Sequence, residues 1–281
     1  MDFTGKTAIV TGAGRGLGLS YASELARLGA HVLISDIGAD SQGAAADASV
    51  ALDAAQALAA RGYSVIGHHG ELVSEAGCRQ LVETAVEAFG QLDIVIHNAG
   101  WVGYQAIEEA QPEFIERTLG VNVYSPIWLC KHAWPYLRQS SAARVVLTSS
   151  DRAMYQPYAQ PGLTAYAAGK MAQLGIMNAL SMEGAVDGIL VNAISPVAKT
   201  RMWGVNGEPD NLKPQWVTPG VIFLASDQCQ DSGYILRASN GQFTATRFVE
   251  NPGVDYPLDL ARIKAGSAEQ VARLWARIKE C

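Results

Sequence analysis

The sequence lacks the features of several large classes of protein. No apolar run reaches the roughly 20 residues that a membrane-spanning helix needs. The chain has 21 Lys and Arg against 27 Asp and Glu, a net charge of −6, and no basic run concentrates the positive charge. Binding to nucleic acid needs such a concentration. We therefore expect neither a nucleic acid nor a membrane among its partners.

Cysteine and histidine are scarce and dispersed along the chain. The four cysteines, at positions 78, 130, 229 and 281, lack the paired spacing of zinc sites, and the five histidines are equally scattered. The sequence therefore predicts no metal centre. The first residues lack the basic start and apolar core of a secretory signal. Together with cysteines that are expected to be reduced, this predicts a cytoplasmic protein.

Short apolar runs alternate with helical patterns along a chain that is 49% hydrophobic and 17% charged. Runs rich in Val, Ile and Leu that are apolar on both faces are typical of a parallel sheet covered by helices on both sides. The pattern predicts an α/β fold with a doubly wound parallel sheet. Strands are expected at residues 7–10, 31–35, 63–67, 92–96, 144–148, 189–194 and 234–237, and helices at 17–28, 48–61, 75–89 and 164–186.

No internal repeat or linker divides the main part of the chain. We predict a single domain over residues 1–248, followed by a C-terminal extension, 249–281, that packs on it. The extension opens with the irregular sequence Asn251-Pro252-Gly253 and ends in a helix over residues 268–279. Residues 204–219 contain three prolines and are expected to form an irregular insertion near the ligand crevice, where a mobile lid and an inert loop are equally compatible with the sequence.

A glycine-rich segment, Thr11-Gly12-Ala13-Gly14-Arg15-Gly16-Leu17-Gly18, joins the first predicted strand to the first helix. Glycines at this point allow a tight turn and let a pyrophosphate approach the backbone at the helix N-terminus. Asp36 ends the second strand, about 20 residues further on, where a carboxylate accepts hydrogen bonds from ribose hydroxyls. No Arg or Lys follows within residues 37–50. These features favour NAD over NADP, because the Asp36 carboxylate would repel the 2′-phosphate of NADP.

Tyr166 and Lys170 lie four residues apart in a predicted helix and therefore share one face. A free phenol has a pKa near 10, and a neighbouring ammonium would lower it toward the range useful for proton transfer. The preceding strand ends at Ser149 and Ser150, whose hydroxyls could hold a substrate oxygen. Ser150 is the preferred candidate, with Ser149 as the alternative.

These motifs, in this order, resemble the short-chain dehydrogenase/reductase family. They are the glycine-rich segment, Asn98-Ala99-Gly100, Asn122, Ser150, Tyr166-x-x-x-Lys170 and Asn192-x-x-x-Pro196. The resemblance implies a Rossmann-like fold, Tyr166 as acid/base, Ser150 as the residue that steadies the substrate oxygen, Lys170 as ligand of the nicotinamide ribose, and Asn122 in a proton relay. The cofactor contacts that it implies are Gly12, Arg15, Gly16, Leu17, Gly18, Asp36, Glu71, Leu72, Asn98, Ala99, Gly100, Tyr166, Lys170, Pro196 and Thr200.

Within the family, three segments of the chain are most similar to the (3R)-hydroxyacyl-CoA dehydrogenase modules of type 2 peroxisomal multifunctional enzymes. They are residues 196–202, residues 213–214 followed by 226–233, and the helical tail around Trp275. The chain departs from the family pattern at three positions. His97 stands where the family often has Asn, Glu71 where it usually has Asp, and Val197 where Gly is commonest. The interval between Ser150 and Tyr166 is also about three residues longer than usual.

The sequence therefore predicts an NAD-dependent enzyme that interconverts a secondary alcohol and a ketone. The substrate could be a 3-hydroxyacyl-CoA, with Lys199, Arg201 and Lys213 available for its phosphates. It could equally be a steroid or another cyclic alcohol, with Arg152, Trp101, Tyr155, Tyr158 and Trp203 lining the pocket. An NAD-binding regulatory protein without turnover is the alternative from a different class. Small residues along 164–180 predict pairing into a homodimer or homotetramer.

Overall fold

Runs of β-branched residues and leucine form one sheet, described here from a computed structural model that covers residues 1–40, 43, 46–200 and 209–279. In this part of the chain the strand order is β3-β2-β1-β4-β5-β6-β7-β8. The first seven strands are parallel, and β8 is antiparallel to β7. The strands are β1 (Thr7–Thr11), β2 (His31–Ser35), β3 (Val65–His68), β4 (Ile94–Ile96), β5 (Arg144–Thr148), β6 (Leu190–Val197), β7 (Ile235–Ser239) and β8 (Gln242–Thr246).

Helices connect the strands and cover both faces of the sheet. Alternate residues of β1 point to opposite faces, so Val10 joins one buried cluster and Ile9 the other. The first cluster includes residues of α1, α2 and α8, and the second includes residues of α3, α5 and α7. The helices are α1 (Gly16–Arg27), α2 (Ser49–Ala59), α3 (Glu75–Phe89), α4 (Pro112–Leu119), α5 (Ser125–Leu137), α6 (Asp151–Met154), α7 (Thr164–Gly184), α8 (Thr218–Ala225) and α9 (Ala268–Ile278). The doubly wound, Rossmann-like α/β fold is thus confirmed.

The strand order reverses direction at β1, which pairs with β2 on one side and β4 on the other. The loops that leave the carboxyl ends of β1 and β4 therefore diverge toward opposite faces of the sheet and open a crevice between them. Every segment with a predicted site residue follows, or lies against, the carboxyl end of a strand. The topology thus decides where a ligand can bind.

The bounds of α3, β2 and β5 agree with the prediction to the residue, and most others differ by one or two. Strand β8 was not among the predicted strands. Four of its five residues are exposed, so it lacks the buried apolar run that marks the other strands. The sheet accordingly ends in one antiparallel edge strand.

The chain divides into two units, Met1–Thr246 and Arg247–Cys281, close to the predicted boundary at residue 249. Helix α9 of the second unit begins after Ser267, whose hydroxyl accepts the N–H of Gln270 at 3.3 Å. The packing of this unit on the first stays a prediction of the sequence. Among the described residues, no helix is long and apolar enough to cross a bilayer.

Candidate active site

A crevice of about 1040 Å³ lies at the carboxyl ends of the central strands. Of the residues predicted for the site, the crevice wall includes all except Gly18 and Asn122, both of which are buried behind it. The predicted residues that line it are Gly12, Arg15, Gly16, Leu17, Asp36, Glu71, Leu72, Asn98, Ala99, Gly100, Ser150, Tyr166, Lys170, Pro196 and Thr200.

The turn between β1 and α1 is built so closely that side chains are excluded from it. Gly12 has a φ of +60°, and a Cβ there would lie 2.8 Å from the Ala99 Cα. A Cβ on Gly14 would lie 2.5 Å from the Val50 side chain, and one on Gly18 would overlap the Gly12 carbonyl oxygen. Bare backbone next to a helix N-terminus suits an anionic phosphate group. The turn therefore fits the pyrophosphate of a dinucleotide.

Asp36 follows β2 and faces the crevice beside this turn. One of its carboxylate oxygens accepts the backbone N–H of Gly14 at 2.9 Å, and the other accepts that of Gly38 at 2.8 Å. The carboxylate is thereby fixed in position. Each oxygen still has lone pairs for further donors, such as ribose hydroxyls.

The segment after β4 is tied to the glycine-rich turn by Asn98. Its amide nitrogen donates to the carbonyls of Thr11 and Gly12, at 3.1 and 2.9 Å. The Thr11 hydroxyl accepts the backbone N–H groups of Asn98 and Ala99, at 3.1 and 3.0 Å. These bonds hold the two sides of the crevice floor in register.

Helix α7 presents Tyr166 and Lys170 to the crevice on one face, as their spacing predicts. Lys170 is 4% exposed, and its Nζ donates to the Thr148 carbonyl at 2.9 Å and lies 5.9 Å from the centroid of the Tyr166 ring. Burial lowers the pKa of Lys170 to about 7. The Lys170 amine is therefore only partly protonated near neutral pH.

The pKa of Tyr166 differs from the sequence-based expectation. Burial raises it above its usual value, against the lowering effects of a hydrogen bond with Ser150 and the positive charge of Arg152. Lys170 was expected to lower this pKa, but desolvation of the phenol by the surrounding protein outweighs the effects of Ser150 and Arg152, and Lys170 makes no marked contribution. The protein by itself therefore favours the protonated phenol at neutral pH.

The two serines after β5 have different surroundings. Ser149 is 2% exposed, and its hydroxyl donates to the Lys170 carbonyl at 2.9 Å. Ser150 is partly exposed, hydrogen-bonds with Tyr166, and accepts the Arg152 backbone N–H at 3.3 Å as the N-cap of α6. The hydroxyl of Ser150 is thus the one beside the phenol, whereas that of Ser149 joins the strand to α7.

Asn122 lies in a π-helical turn, Gly120–Tyr124, between α4 and α5. Its amide nitrogen donates to the carbonyls of Thr118 and Trp101, at 3.0 and 3.2 Å, whereas its Oδ1 is buried without a partner. A Cβ on Gly100 would lie 3.1 Å from both Asn122 Oδ1 and Lys170 Nζ. The amide oxygen and the ammonium therefore lie close together behind Gly100. Isolated π turns are frequently found at functional sites.

His97, a departure from the family pattern, lies in the core below the crevice. It is fully buried, its Nε2 lies 3.0 Å from the Ser125 hydroxyl, and burial lowers its pKa to about 3. The backbone carbonyl of His97 accepts the hydroxyl of Thr148, the residue whose own carbonyl holds Lys170. The neutral imidazole thus belongs to the core beside Ser125, whereas the backbone of His97 contacts the residue that holds Lys170.

Sequence reasoning missed an ion pair in the crevice wall. Arg237, on β7, donates to both carboxylate oxygens of Asp151, at 2.8 to 3.1 Å, and Ser195 donates to the same carboxylate at 2.7 Å. The guanidinium also stacks over the Tyr155 ring, 4.6 Å from its centroid. An arginine within an otherwise mostly apolar strand was the available signal. The pair joins β6 and β7 to the segment that carries Ser150.

Only some of the other residues predicted to line the pocket do so. Trp101, Tyr158, Arg152 and Val197 line the crevice. Lys199, Lys213 and Tyr155 are not among its described lining residues. Arg201 and Trp203, together with part of the predicted insertion 204–219, lie outside the described residues.

Comparison with known proteins agrees with this geometry. The family model for short chain dehydrogenases matches residues 6–210, nearly three quarters of the chain. This chain belongs to the short-chain dehydrogenase family. It is therefore an oxidoreductase, and the resemblance inferred from the motifs is confirmed. A solved short chain dehydrogenase from Mycobacterium avium superposes with a TM-score of 0.82 and 25% identity, over 99% of this chain and 95% of that one.

Among its relatives, this short-chain dehydrogenase is 30% identical to a Mycobacterium tuberculosis protein named as a short-chain type dehydrogenase/reductase, over 98% of this chain and 94% of the relative. It is 29% identical to the peroxisomal multifunctional enzyme type 2 of Drosophila melanogaster and 30% identical to that of Mus musculus, over 94% and 90% of this chain. The chain spans only 45% and 34% of those two enzymes.

Proposed function

We propose that the protein is an NAD-dependent dehydrogenase that interconverts a secondary alcohol and a ketone. The observation that carries the proposal is the convergence of Ser150, Tyr166 and Lys170 on one crevice whose other end is formed by the glycine-rich turn and Asp36. The crevice thus combines a dinucleotide-binding end with a proton-transferring end.

The cofactor end supports NAD. The glycine turn would hold the pyrophosphate, and Asp36, with both oxygens fixed by backbone N–H groups, would accept the ribose hydroxyls. A 2′-phosphate would meet this carboxylate and be repelled. Lys170 and Asn98–Gly100 lie where the nicotinamide half of the dinucleotide would extend. When bound, nicotinamide accepts the hydride that the carbinol carbon loses in oxidation.

The chain's own residues account for the proton. In oxidation, the alcohol hydroxyl passes its proton to the Tyr166 phenolate as the carbinol C–H bond breaks with its electron pair, and the C=O bond forms. Ser150 holds the reacting oxygen beside the phenol. Lys170 supplies positive charge, and Asn122, whose Oδ1 is buried without a hydrogen-bond partner beside Gly100, is the residue proposed to continue the proton relay. In reduction the same proton returns from Tyr166 to the alkoxide.

The substrate class is the less defined part of the proposal. Likeness to the peroxisomal multifunctional enzymes supports a 3-hydroxyacyl-CoA. The aromatic residues Trp101 and Tyr158 in the crevice wall support a ring alcohol, such as a steroid or a smaller cyclic alcohol. These are alternatives within one reaction type.

Initial rates with a panel of secondary alcohols and ketones, each tested with both NAD and NADP, test the proposal. We expect NAD-dependent turnover of at least one class. A protein that binds NAD with micromolar affinity and turns over none of them would support the non-catalytic alternative. The complete set of Asn122, Ser150, Tyr166 and Lys170 argues against that alternative, since binding alone does not need a proton-transfer group.

Assembly into a homodimer or homotetramer belongs to the same proposal. Ala168, Gly175 and Ala179 are exposed on one face of α7, and a Cβ on Gly175 would meet no atom within 4 Å. Small exposed residues allow a helix of a second copy to approach closely. Light scattering at micromolar concentration tests this, and a monomeric mass would contradict it.

A cytoplasmic location is also proposed. Three cysteines among the described residues, Cys78, Cys130 and Cys229, are buried free thiols, which suits a reducing compartment. Fractionation of cells that express the native gene tests the location.

A further inference from the structure

Arg152 is a cation of the crevice wall to which the proposed chemistry assigns no role. It lies two residues after Ser150, in the first turn of α6. Its Nη1 donates to the Tyr104 hydroxyl at 2.8 Å, and that hydroxyl donates to Gln160 at 3.2 Å. The guanidinium is thus held between the segment after β4 and the loop 155–161, on two sides of the substrate end of the crevice. A side chain fixed in this way is preorganised for a ligand.

The guanidinium also acts electrostatically on the reacting group. Its positive charge favours the phenolate of Tyr166, opposite to the effect of burial. A charge that acts on the phenol also acts on a substrate whose hydroxyl lies against that phenol. Any anionic group near the reacting carbon would therefore be stabilised by Arg152.

Other charged groups of the crevice wall also have partners, among them Arg117, whose guanidinium lies 5.4 Å from the centroid of the Trp101 ring. Arg237 is engaged by both oxygens of Asp151, and Ser195 donates to the same carboxylate. Lys170 donates to the Thr148 carbonyl and is only partly protonated near neutral pH. Of the described carboxylates in the wall, Asp36, Asp40 and Glu71 belong to the segments after β2 and β3 at the cofactor end. Asp151, the carboxylate at the substrate end, is neutralised by its arginine.

We propose that Arg152 is a specificity-determining residue that binds a carboxylate on the substrate close to the carbinol carbon. The planar guanidinium matches a carboxylate in a bidentate geometry, which an ammonium cannot provide. The substrate class is then a hydroxy acid or keto acid, with Trp101 and Tyr158 packing against its apolar part. This inference rests on the proposed function and deepens it. It separates such acids from a hydroxyacyl-CoA, whose thioester is uncharged and whose phosphates are remote from the carbinol.

The test compares 2-hydroxycyclohexanecarboxylate, whose carboxylate is on the carbon next to the carbinol, with its methyl ester, a pair that differs in one charge. We expect kcat/KM for the acid to exceed that for the ester by about tenfold or more, the effect of one hydrogen bond to a charged group. Arg152→Gln should remove this preference by raising KM for the acid, and leave KM for the ester within about twofold. Arg152→Lys should retain part of it. Arg79→Gln, the same change of charge on the exposed surface of α3, should retain all of it.

Equal or better use of the ester by the wild-type protein would overturn the inference. So would an equal loss with both substrates in Arg152→Gln, which would indicate an effect on Tyr166 or on loop structure alone. A binding measurement keeps the two proposals distinguishable. Calorimetry of the NAD complex with the unreactive cyclohexanecarboxylate and its methyl ester should show binding of the acid that Arg152→Gln abolishes. If that holds while no alcohol is oxidised, the proposed function fails and the carboxylate site stands. If alcohols are oxidised but the acid does not bind, the carboxylate site fails and the proposed function stands.

Discussion

Lys170 Nζ lies 5.9 Å from the centroid of the Tyr166 ring, and burial favours the neutral form of both side chains. The pKa of Lys170 is lowered to about 7 and that of Tyr166 is raised. Burial by the protein therefore disfavours the charged forms of both side chains. A bound oxidised nicotinamide would add positive charge next to the phenol, so we infer that cofactor binding, rather than Lys170 alone, activates Tyr166.

The first prediction concerns this activation. A difference titration of wild type against Tyr166→Phe, followed by phenolate absorbance, should give a Tyr166 pKa above that of a free phenol without nucleotide and a lower pKa with NAD⁺. The positive charge of the oxidised ring is the reason, so NADH should have less effect. An unchanged pKa on addition of NAD⁺ would contradict the inference.

Tyr166→Phe removes the hydroxyl and leaves the ring in place. General acid–base groups typically contribute about 10²- to 10⁴-fold, and we expect a loss of kcat of at least that size with NAD affinity preserved. Steady-state rates and fluorescence titration with NADH measure the two quantities. Near-normal turnover in a folded variant that binds NAD would exclude Tyr166 as the proton-transfer group.

Alanine substitutions of Ser150 and Ser149 should have different effects, the first mainly on activity and the second mainly on stability. Ser150→Ala should lower kcat strongly and change stability little, because its hydroxyl is beside the phenol in a partly exposed position. Ser149→Ala should have the smaller effect on kcat and lower the free energy of unfolding by about 1 kcal/mol, the contribution of a typical hydrogen bond such as the one to the Lys170 carbonyl. Rates and urea unfolding of both variants check this. The opposite pattern would make Ser149 the catalytic serine.

Lys170 makes stability depend on pH. Its folded-state pKa of about 7 is below its unfolded value near 10.4, so between these values the unfolded chain binds more protons and stability rises with pH. The penalty of burying the charged form is complete below pH 7. We expect the free energy of unfolding of wild type minus that of Lys170→Met, both without nucleotide, to increase from pH 6.5 to 9. The subtraction removes the contributions of the buried cysteines and His97. A difference that is flat over this range would mean that Lys170 is not desolvated.

Asp36→Ala should weaken the discrimination against NADP, since the carboxylate that repels the 2′-phosphate is removed. The ratio of kcat/KM for NAD to that for NADP measures this. Asp36→Asn is the matched control, because it keeps one oxygen to accept a backbone N–H and removes the charge. If both variants lower the ratio, charge is the cause. If wild type already prefers NADP, the argument from Asp36 fails.

The sequence by itself determined the fold class, and 15 of the 17 residues that it predicts for the site line the crevice. Strand positions followed from runs of Val, Ile and Leu that are buried on both faces, and β2, β5 and α3 agree to the residue. The site was predictable because glycines, Asp36, Tyr166 and Lys170 act through local spacing along the chain. Strand β8 was missed because its exposed residues carry no apolar period.

Only the tertiary structure decided properties that depend on surroundings distant in sequence. Burial by other elements sets the pKa values of Lys170 and Tyr166, which sequence reasoning took from the neighbouring charge alone. Asp151 and Arg237 are 86 residues apart, and they meet because β7 pairs beside β6 in the sheet. The hydroxyl of Ser149 donates to the Lys170 carbonyl in the interior, whereas that of Ser150 lies beside the Tyr166 phenol in the crevice, because adjacent residues in extended backbone point in opposite directions. Spacing fixes which residues share a helix face, whereas desolvation and long-range pairing exist only once the chain has folded.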